Sequence, residues 1–281
     1  MYTLNCKGKL LVITQPLVMG IINATPDSFY KGHLQRGINE IVSLAGEMIR
    51  EGATILDIGG QSTRPGSERV SAQEETERVV PVIEAIKSIY PNCIISIDTY
   101  HSRVAENAVK SGASIVNDIS SGNMDPEMIA AVATLKVPYI CMHMKGTPES
   151  MQKEAVYEDV VTEVLDYLIM KTNECKLAGI HDVIADPGFG FAKTIAHNFQ
   201  LLKNLSLFKL LERPILAGLS RKSTVYKTLG VSPDGALNGT TVLNSIALLN
   251  GASILRVHDV RAATEAVSLI TAYDNALLQG A

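Results

Sequence analysis

The chain repeats one pattern eight times: a short apolar run that ends in polar residues, followed by a stretch with helical periodicity. The runs are residues 18–23, 54–58, 93–98, 114–118, 139–143, 182–186, 214–218 and 253–258. Runs of this length, rich in β-branched residues, predict buried strands. Because parallel strands need crossover helices, this alternation predicts a parallel sheet. Eight units in about 250 residues are typical of an α/β fold, the TIM (β/α)₈ barrel.

The main alternative fold is a doubly wound open sheet. No G-x-G-x-x-G motif follows the first run, which argues against the dinucleotide-binding version of that fold. Residues 3–6 and 10–13 predict a short N-terminal hairpin, which we expect to close the bottom of the barrel. No internal linker interrupts the units, so we expect residues 1–281 to form a single domain.

The overall composition argues against nucleic acid and membranes as binding partners. The net charge is −4, and 46% of the residues are hydrophobic, so the chain can bury a full core and carries no excess positive charge for nucleic acid. We expect no membrane span, since no apolar run approaches the roughly 20 residues that a membrane helix needs. The four cysteines form no C-x-x-C pair, and the first ten residues lack the apolar core of a signal peptide. These features predict a cytoplasmic protein.

Polar side chains stand at the carboxyl ends of all eight predicted strands, where a barrel of this type builds its active site. The residues at these ends are Asn23; Asp57 with Thr63 and Arg64; Asp98; Asn117 and Asp118; His143, beside the apolar Met142; Asp186; Ser220, Arg221 and Lys222; and Arg256 and His258. Any one Asp could cap the following helix, and we expect Asp57 and Asp118 to be structural. The whole set is more than packing requires, so it predicts a binding site.

The set divides by chemistry. Arg256 and His258 on the eighth strand suit an anion, and Asn23 on the adjacent first strand could offer an amide oxygen to Mg²⁺. A second group suits a flat heterocycle with a donor–acceptor edge, because a carboxylate can accept two parallel N–H bonds. Its members are Asp98, Asn117, Asp186 and Lys222. We expect the Lys222 ammonium to pair with Asp186.

The loop after the second strand is the most polar of the chain. Gly59-Gly60 permits a sharp turn, and Gln61, Ser62, Thr63 and Arg64 follow, before the turn pair Pro65-Gly66. One interpretation is an ordinary strand-to-helix connection with Ser67 or Ser71 as the helix cap. The other is a binding loop held by a rigid strand.

Eight segments resemble those of the dihydropteroate synthase family, in its usual order and spacing. They are MGIINATPDSF, DIGGQSTRPG, SIDT, VND, MHMKGTPESMQ, DPGFGFAKTIAHN, GLSRKS and SILRVHDV, which together span residues 18–260. The resemblance implies an enzyme that joins 4-aminobenzoate to 6-hydroxymethyl-7,8-dihydropterin diphosphate, releasing pyrophosphate and 7,8-dihydropteroate. It also implies Mg²⁺ as cofactor, a homodimer, and competition by sulfonamides, which mimic 4-aminobenzoate.

The resemblance assigns roles to matching residues. Asp98, Asn117, Asp186 and Lys222 match the family's pterin-contacting positions, with Met142 and Phe191 as apolar walls. Asn23, on Mg²⁺, and Arg64, Arg256 and His258 match the diphosphate positions. Thr63, Pro65 and Ser223 match the region that receives 4-aminobenzoate, and Phe29 resembles a lid residue above it. Arg256, His258, Lys222 and Asp98 are then the expected catalytic residues.

Two positions depart from the family pattern. Lys31 replaces an acidic residue of the first loop, and Gln61 replaces the glutamate of the usual G-G-E-S-T-R-P segment. Two other functions stay open: a shared pterin pocket motivates the first, and the altered first loop motivates the second. One is a methyltetrahydrofolate-binding methyltransferase domain, which would not need Arg256. The other is an inactive pterin-binding barrel.

Overall fold

The computed structural model describes residues 1–25, 34–61 and 69–276, and within this part the side chains of residues 34–36 are not described. The strands are β1 Tyr2–Cys6, β2 Lys9–Ile13, β3 Leu17–Asn23, β4 Ile55–Gly59, β5 Ile94–Asp98, β6 Ile115–Asp118, β7 Tyr139–Met142, β8 Val183–Asp186, β9 Leu216–Ala217 and β10 Ile254–Val257. The helices are α1 Leu34–Arg50, α2 Ala72–Ile89, α3 Ser102–Ser111, α4 Met128–Leu135, α5 Val160–Leu177, α6 Ile195–Lys203, α7 Ser223–Leu229, α8 Leu237–Leu249 and α9 Val260–Asp274.

The eight strands β3–β10 form one parallel sheet in the order β8-β7-β6-β5-β4-β3-β10-β9. A parallel bridge between Ala185 and Ile215 joins the two ends of that order, with the Ala185 N–H donating to the Pro214 carbonyl at 2.9 Å. The predicted barrel is confirmed, and the doubly wound alternative is wrong. Strand β9 is shorter than the predicted 214–218, in part because Pro214 has no N–H to donate to a ladder.

The N-terminal hairpin β1–β2 closes the bottom of the barrel, as expected. Its buried side chains Leu4, Cys6, Leu11 and Ile13 form one cluster with the first inward residue of each barrel strand. Those residues are Met19, Ile55, Ile94, Ile115, Ile140, Ile184, Leu216 and Ile254, together with Leu17 at the start of β3. The alternate residues of the same strands, such as Leu56 and Ile95, pack against the helices.

The period of two along each strand places the next inward residues one layer higher. Two positions after the apolar layer come Asp57, Ser96, Asn117, Met142, Asp186 and Arg256. On β4, β5, β6, β8 and β10 the interior of the barrel therefore changes from apolar to polar at this step, whereas β3 and β7 have Ile21 and Met142 there. This change puts the polar groups of the site directly on a rigid hydrocarbon floor.

The helices agree with the sequence pattern except in a few places. Helix α3 has the predicted bounds, and Gly112 caps it with φ 125°. Ser71 caps α2 by accepting the Glu74 N–H at 3.2 Å. The alternation predicts a helix between β6 and β7, but the bounds of α4 were not predicted, because its eight residues carry an almost wholly apolar run with little periodicity. Within the described residues, no helix is long and apolar enough to cross a membrane.

Substitution of two neighbouring leucines in the hairpin tests whether the hairpin closes the bottom of the barrel core. Leu11 is 8% exposed and Leu10 is 66% exposed. Leu11→Ala should cost on the order of 2–4 kcal/mol of unfolding free energy, since it leaves a cavity in the lower apolar layer. Leu10→Ala makes the same change on the exposed side of β2 and should cost much less. Urea denaturation followed by circular dichroism measures both, and equal losses would remove the hairpin from the core.

Candidate active site

The sheet register brings the predicted site residues into neighbouring positions. Asp98 at the end of β5 is paired with Gly59 of β4 and with Asn117 of β6. Met142 of β7 lies opposite Asp186 of β8. These side chains are all less than 10% exposed, so they line the inner mouth of the barrel.

The Arg256 guanidinium bridges two carboxylates across this mouth. Its Nε donates to Asp57 Oδ2 at 2.6 Å, and its Nη2 donates to Asp98 Oδ2 at 2.6 Å. Asn117 Nδ2 donates to the same Asp57 oxygen at 3.0 Å. A guanidinium has five N–H donors, so the two carboxylates leave some of them for a ligand. Asp57 is fully buried and acts by orienting Arg256 and Asn117.

The electrostatics of this group follow from burial and the two carboxylates. Burial raises the pKa of Asp98 to about 7, although the Arg256 guanidinium opposes the rise. Burial alone would lower the pKa of Arg256, but Asp57 and Asp98 raise it above its ordinary range. Arg256 is therefore charged at every working pH, and Asp98 changes charge near neutrality.

Asp186 and Lys222 lie side by side without the expected direct ion pair. Asp186 Oδ1 accepts the Gly188 N–H at 2.7 Å. The Lys222 ammonium donates instead to the Phe189 carbonyl and lies 4.7 Å from the centre of the Phe191 ring. The expected pairing is thus wrong among the described contacts, because the turn after β8 offers a carbonyl oxygen that lies closer.

The two groups still influence each other through space. Burial lowers the pKa of Lys222 to about 8, and the Asp186 carboxylate limits the fall. Burial raises the pKa of Asp186, with Lys222 opposing.

An apolar wall completes the pocket. Met142 lies in one buried cluster with Tyr100, Ile119, Met144, Met151 and Ala192, and Phe191 packs against this cluster. Met142 and Phe191 are therefore together, as the sequence predicted for a flat ring. Ile119 was missed, although it stands two residues after Asn117 and so continues the inward face of β6.

His258 is tied to the loop after β9. Ser220 Oγ accepts the His258 backbone N–H at 3.2 Å and lies 3.0 Å from His258 Nδ1. Arg221, in contrast, points away from the pocket, because its guanidinium binds both oxygens of Asp259 at 2.8 and 2.7 Å. The position of Arg221 among the predicted strand-end residues therefore reflects a structural contact.

The remaining predicted residues lie at the rim or outside the described part. Asn23 is exposed at the end of β3, and Ser223 begins α7. Phe29, Thr63, Arg64 and Pro65 lie outside the described residues, as does Lys31. Asp118 is structural, as expected, since its oxygens accept hydrogen bonds from Ser120, Gly122 and Tyr139.

Comparisons with known proteins match this arrangement. The family model described as "Pterin binding enzyme" matches residues 19–258. The chain is 42% identical to the dihydropteroate synthase of Escherichia coli K12 over 268 residues, which is 95% of this chain and 94% of that protein.

Solved structures agree with the sequence relatives. The Xanthomonas albilineans dihydropteroate synthase with 4-aminobenzoic acid is similar with a TM-score of 0.91 and 38% identity, over 98% of this chain and 99% of that one. The same enzyme in complex with 7,8-dihydropteroate gives a TM-score of 0.88 and 36% identity, over 98% and 100%. The chain belongs to the dihydropteroate synthase family.

A buried lysine beside the pocket, Lys193, was not recognised from the sequence, although it stands in one of the segments typical of dihydropteroate synthases, and it contacts the predicted strand-end residue His143. Lys193 Nζ lies 2.9 Å from His143 Nδ1, 3.3 Å from the His143 carbonyl and 3.0 Å from the Phe191 carbonyl. Burial, together with Lys193, lowers the pKa of His143 to about 2. His143 is therefore a neutral acceptor that holds Lys193, and this pair fixes the backbone of Phe191.

Gly188, in the turn after β8, has no room for a side chain in this dihydropteroate synthase pocket. With φ 71°, it would place an added Cβ 2.0 Å from the His143 carbonyl oxygen. Gly179 has φ 91° and no atom within 4 Å of an added Cβ, which makes it a matched control. Gly179→Ala should cost about 1 kcal/mol of unfolding free energy, and Gly188→Ala about 3 kcal/mol, because only the second adds a clash.

The same pair separates stability from binding. Since the Gly188 N–H orients Asp186, Gly188→Ala should also weaken dihydropterin binding in calorimetry, whereas Gly179→Ala should leave it unchanged. Equal effects of the two variants on unfolding and binding would contradict this account.

Proposed function

We propose that the chain catalyses the dihydropteroate synthase reaction, in which 4-aminobenzoate displaces pyrophosphate from 6-hydroxymethyl-7,8-dihydropterin diphosphate. The observation that carries the proposal is the pocket of Asp98, Asn117, Asp186 and Lys222 beside the Met142–Phe191 wall, with Arg256 across its mouth. Membership of the family supports the same reaction. We also infer that residues 1–281 work as one pterin-binding domain.

The buried carboxylates suit the electron-deficient ring that develops during the reaction. A dihydropterin can donate electrons to its exocyclic CH₂ group, so carbon–oxygen cleavage can run ahead of attack. Asp98 and Asp186 would bind the N–H edge of the ring and stabilise its positive charge. Lys222 and the Asn117 amide would bind the acceptor atoms of the ring, while Met142 and Phe191 exclude water from its faces.

The leaving pyrophosphate needs cations at the rim. Arg256 and His258 would stabilise it, and Arg64 would add a third contact. Asn23 fits a Mg²⁺ site, because it places a hard amide oxygen at the exposed end of β3, and Mg²⁺ takes few protein ligands when phosphate oxygens supply the rest. When bound, Mg²⁺ would offset the charge of the departing pyrophosphate. Within the described residues, no group of three His, Cys, Asp or Glu side chains is placed to hold a metal ion.

The arylamine needs positioning rather than activation. We infer that Thr63, Pro65 and Ser223 receive 4-aminobenzoate and that Phe29 lies over it. The nitrogen of 4-aminobenzoate is already a nucleophile, so proximity to the CH₂ carbon supplies much of the rate gain.

The expected partners are the two small substrates and a second copy of the chain. Exposed apolar side chains on and around α7, α8 and α9 favour a homodimer through these helices: Leu229, Val231, Leu237, Val242, Ile246, Leu249, Leu269 and Tyr273. All four cysteines are free, and Cys6, Cys141 and Cys175 are buried, which supports a reducing, cytoplasmic location. Nucleic acid and membrane are not expected partners.

A pyrophosphate-release assay tests the function directly. With dihydropterin diphosphate and Mg²⁺, release should depend on 4-aminobenzoate and should be matched by dihydropteroate formed. Release should stop when Mg²⁺ is removed by a chelator and return when it is restored. Tight pterin binding without release would favour an inactive barrel, and methyl transfer from methyltetrahydrofolate to a corrinoid protein would favour the methyltransferase domain.

Arg256 should act on turnover more than on pterin binding. Arg256→Ala would leave the buried Asp57 unpaired and cost stability, so Arg256→Lys is the better probe, since it keeps the charge and loses the planar fork. It should lower kcat by about 100-fold and change dihydropterin affinity by less than about fivefold. Arg221→Lys makes the same change at the Asp259 contact and serves as the control. Loss of pterin affinity with unchanged kcat would remove Arg256 from the leaving-group role.

A further inference from the structure

A buried carboxyl group stands behind the pocket, outside the residues that would touch substrate. Glu75 on α2 is fully buried and lies against the turn that ends β4. An added Cβ on Gly60 would lie 2.8 Å from Glu75 Cγ, so the bare glycine backbone makes the room for this side chain. Burying an ionised glutamate at such a position costs folding free energy unless the charge is paired.

Glu75 joins three residues into a hydrogen-bonded group. Its Oε2 accepts from Thr99 Oγ1 at 2.8 Å and from Gln61 Nε2 at 3.3 Å. Gln61 Oε1 in turn accepts from the Tyr100 hydroxyl at 2.9 Å. We call these four residues, Glu75, Gln61, Thr99 and Tyr100, the Glu75 cluster. Helix α2 is thereby tied to the ends of β4 and β5.

The Glu75 cluster bears directly on the pterin pocket. Thr99 and Tyr100 are the two residues that follow Asp98, and Tyr100 belongs to the apolar wall with Met142. The Thr99 hydroxyl also accepts the His101 N–H at 3.1 Å, which fixes the turn after β5. The Glu75 carboxyl group therefore contacts Thr99, which follows Asp98, and Gln61, which binds the Tyr100 hydroxyl. Through these two contacts it fixes the positions of the Asp98 side chain and the Tyr100 ring.

The surroundings of Glu75 suit a neutral acid better than a carboxylate. Among the described residues, no cation forms an ion pair with it, and its Oε1 has no hydrogen-bond partner. The Arg78 guanidinium, whose charge lowers the pKa of Glu75, donates instead to the Gly60 carbonyl at 2.7 Å and to Glu74. Burial raises the pKa of Glu75 to about 8, and the Asp98 carboxylate adds to the rise, while the bonds from Thr99 and Gln61 oppose it.

We propose that Glu75 is a positioning residue for the pterin pocket: as a neutral carboxylic acid, it holds Asp98 and Tyr100 in place through Thr99 and Gln61. Gln61 has a part in this that the glutamate usual at its position would not have. A second carboxyl group 3.3 Å from Glu75 would have to share a proton with it, whereas the amide bonds both the acid and the Tyr100 phenol without a charge. The proposal rests on the proposed function, because the pocket that it serves is the dihydropterin site.

The pH dependence of dihydropterin binding tests the proposal. Glu75→Gln copies the neutral acid and cannot ionise. By calorimetry, the variant and the unmodified chain should bind a dihydropterin equally tightly at pH 7. At pH 9 the variant should bind it about tenfold more tightly than the unmodified chain, because the ionised Glu75 of the unmodified chain no longer holds the pocket. Asp98, Lys222 and Tyr100 also titrate above pH 6 in both proteins, so the ratio of the two affinities reports Glu75 together with its effect on the neighbouring Asp98. A ratio that stays constant from pH 7 to pH 9 would overturn the proposal.

Two further variants separate positioning from general stability. Glu77→Gln makes the same chemical change on the exposed side of α2 and should give a ratio near one at both pH values. Tyr100→Phe removes only the hydroxyl that reaches Gln61 and should weaken dihydropterin binding about fivefold while the protein stays folded. If Glu75→Gln does not fold, Tyr100→Phe decides, and unchanged affinity would refute the proposal. An unmodified chain that binds no dihydropterin would instead refute the proposed function.

Discussion

The contact between the Arg256 guanidinium and the carboxylates of Asp57 and Asp98 is the interaction on which the rest of the site depends. It joins β10 to β4 and β5 across the barrel mouth, and Asn117 is oriented by the same Asp57 oxygen. Taking such charges out of water costs several kcal/mol for each ion. They are held here by short, well-aligned bonds, so the loss of any member would leave an uncompensated buried charge and change the position of the others.

This ion group also sets the charge that a substrate meets. Two carboxylates share one guanidinium, so these three side chains carry a surplus of negative charge when both carboxylates are ionised. An electron-poor ring is favoured in such a field, and a bare diphosphate is not. The diphosphate therefore needs further positive charge at the rim, beside Arg256. The pterin ring is thus bound best by negative charge and the diphosphate by positive charge. The barrel places carboxylates in its interior and cations at its rim.

The sequence predicted the barrel, the hairpin and most positions of the pocket, because these follow from local periodicity. Alternate residues of a strand lie on the same face, so strand ends such as Asp98, Asn117 and Asp186 could be located without a structure. The hydrogen-bond partners that these side chains find across the barrel could not be predicted from the sequence. Lys222 binds the Phe189 carbonyl rather than Asp186, and Arg221 binds Asp259, because the choice depends on which acceptor lies nearest after folding. Lys193 was missed because nothing in its loop segment marks it as buried. Glu75 was missed because it is a carboxylic acid, although it stands four residues before Val79 on the buried face of α2.

The buried groups behind the pocket share one physical property: they are polar without adding charge. His143 is kept neutral by burial beside Lys193, and the surroundings of Glu75 favour its neutral acid, although both residue types often carry charge in proteins. A further negative charge near Asp98 would compete for Arg256, and a charged imidazole would repel Lys193. Hydrogen bonds from neutral groups fix geometry in a low-dielectric interior without altering the field. The barrel can therefore hold its few charged residues rigidly while leaving their charge for the substrate.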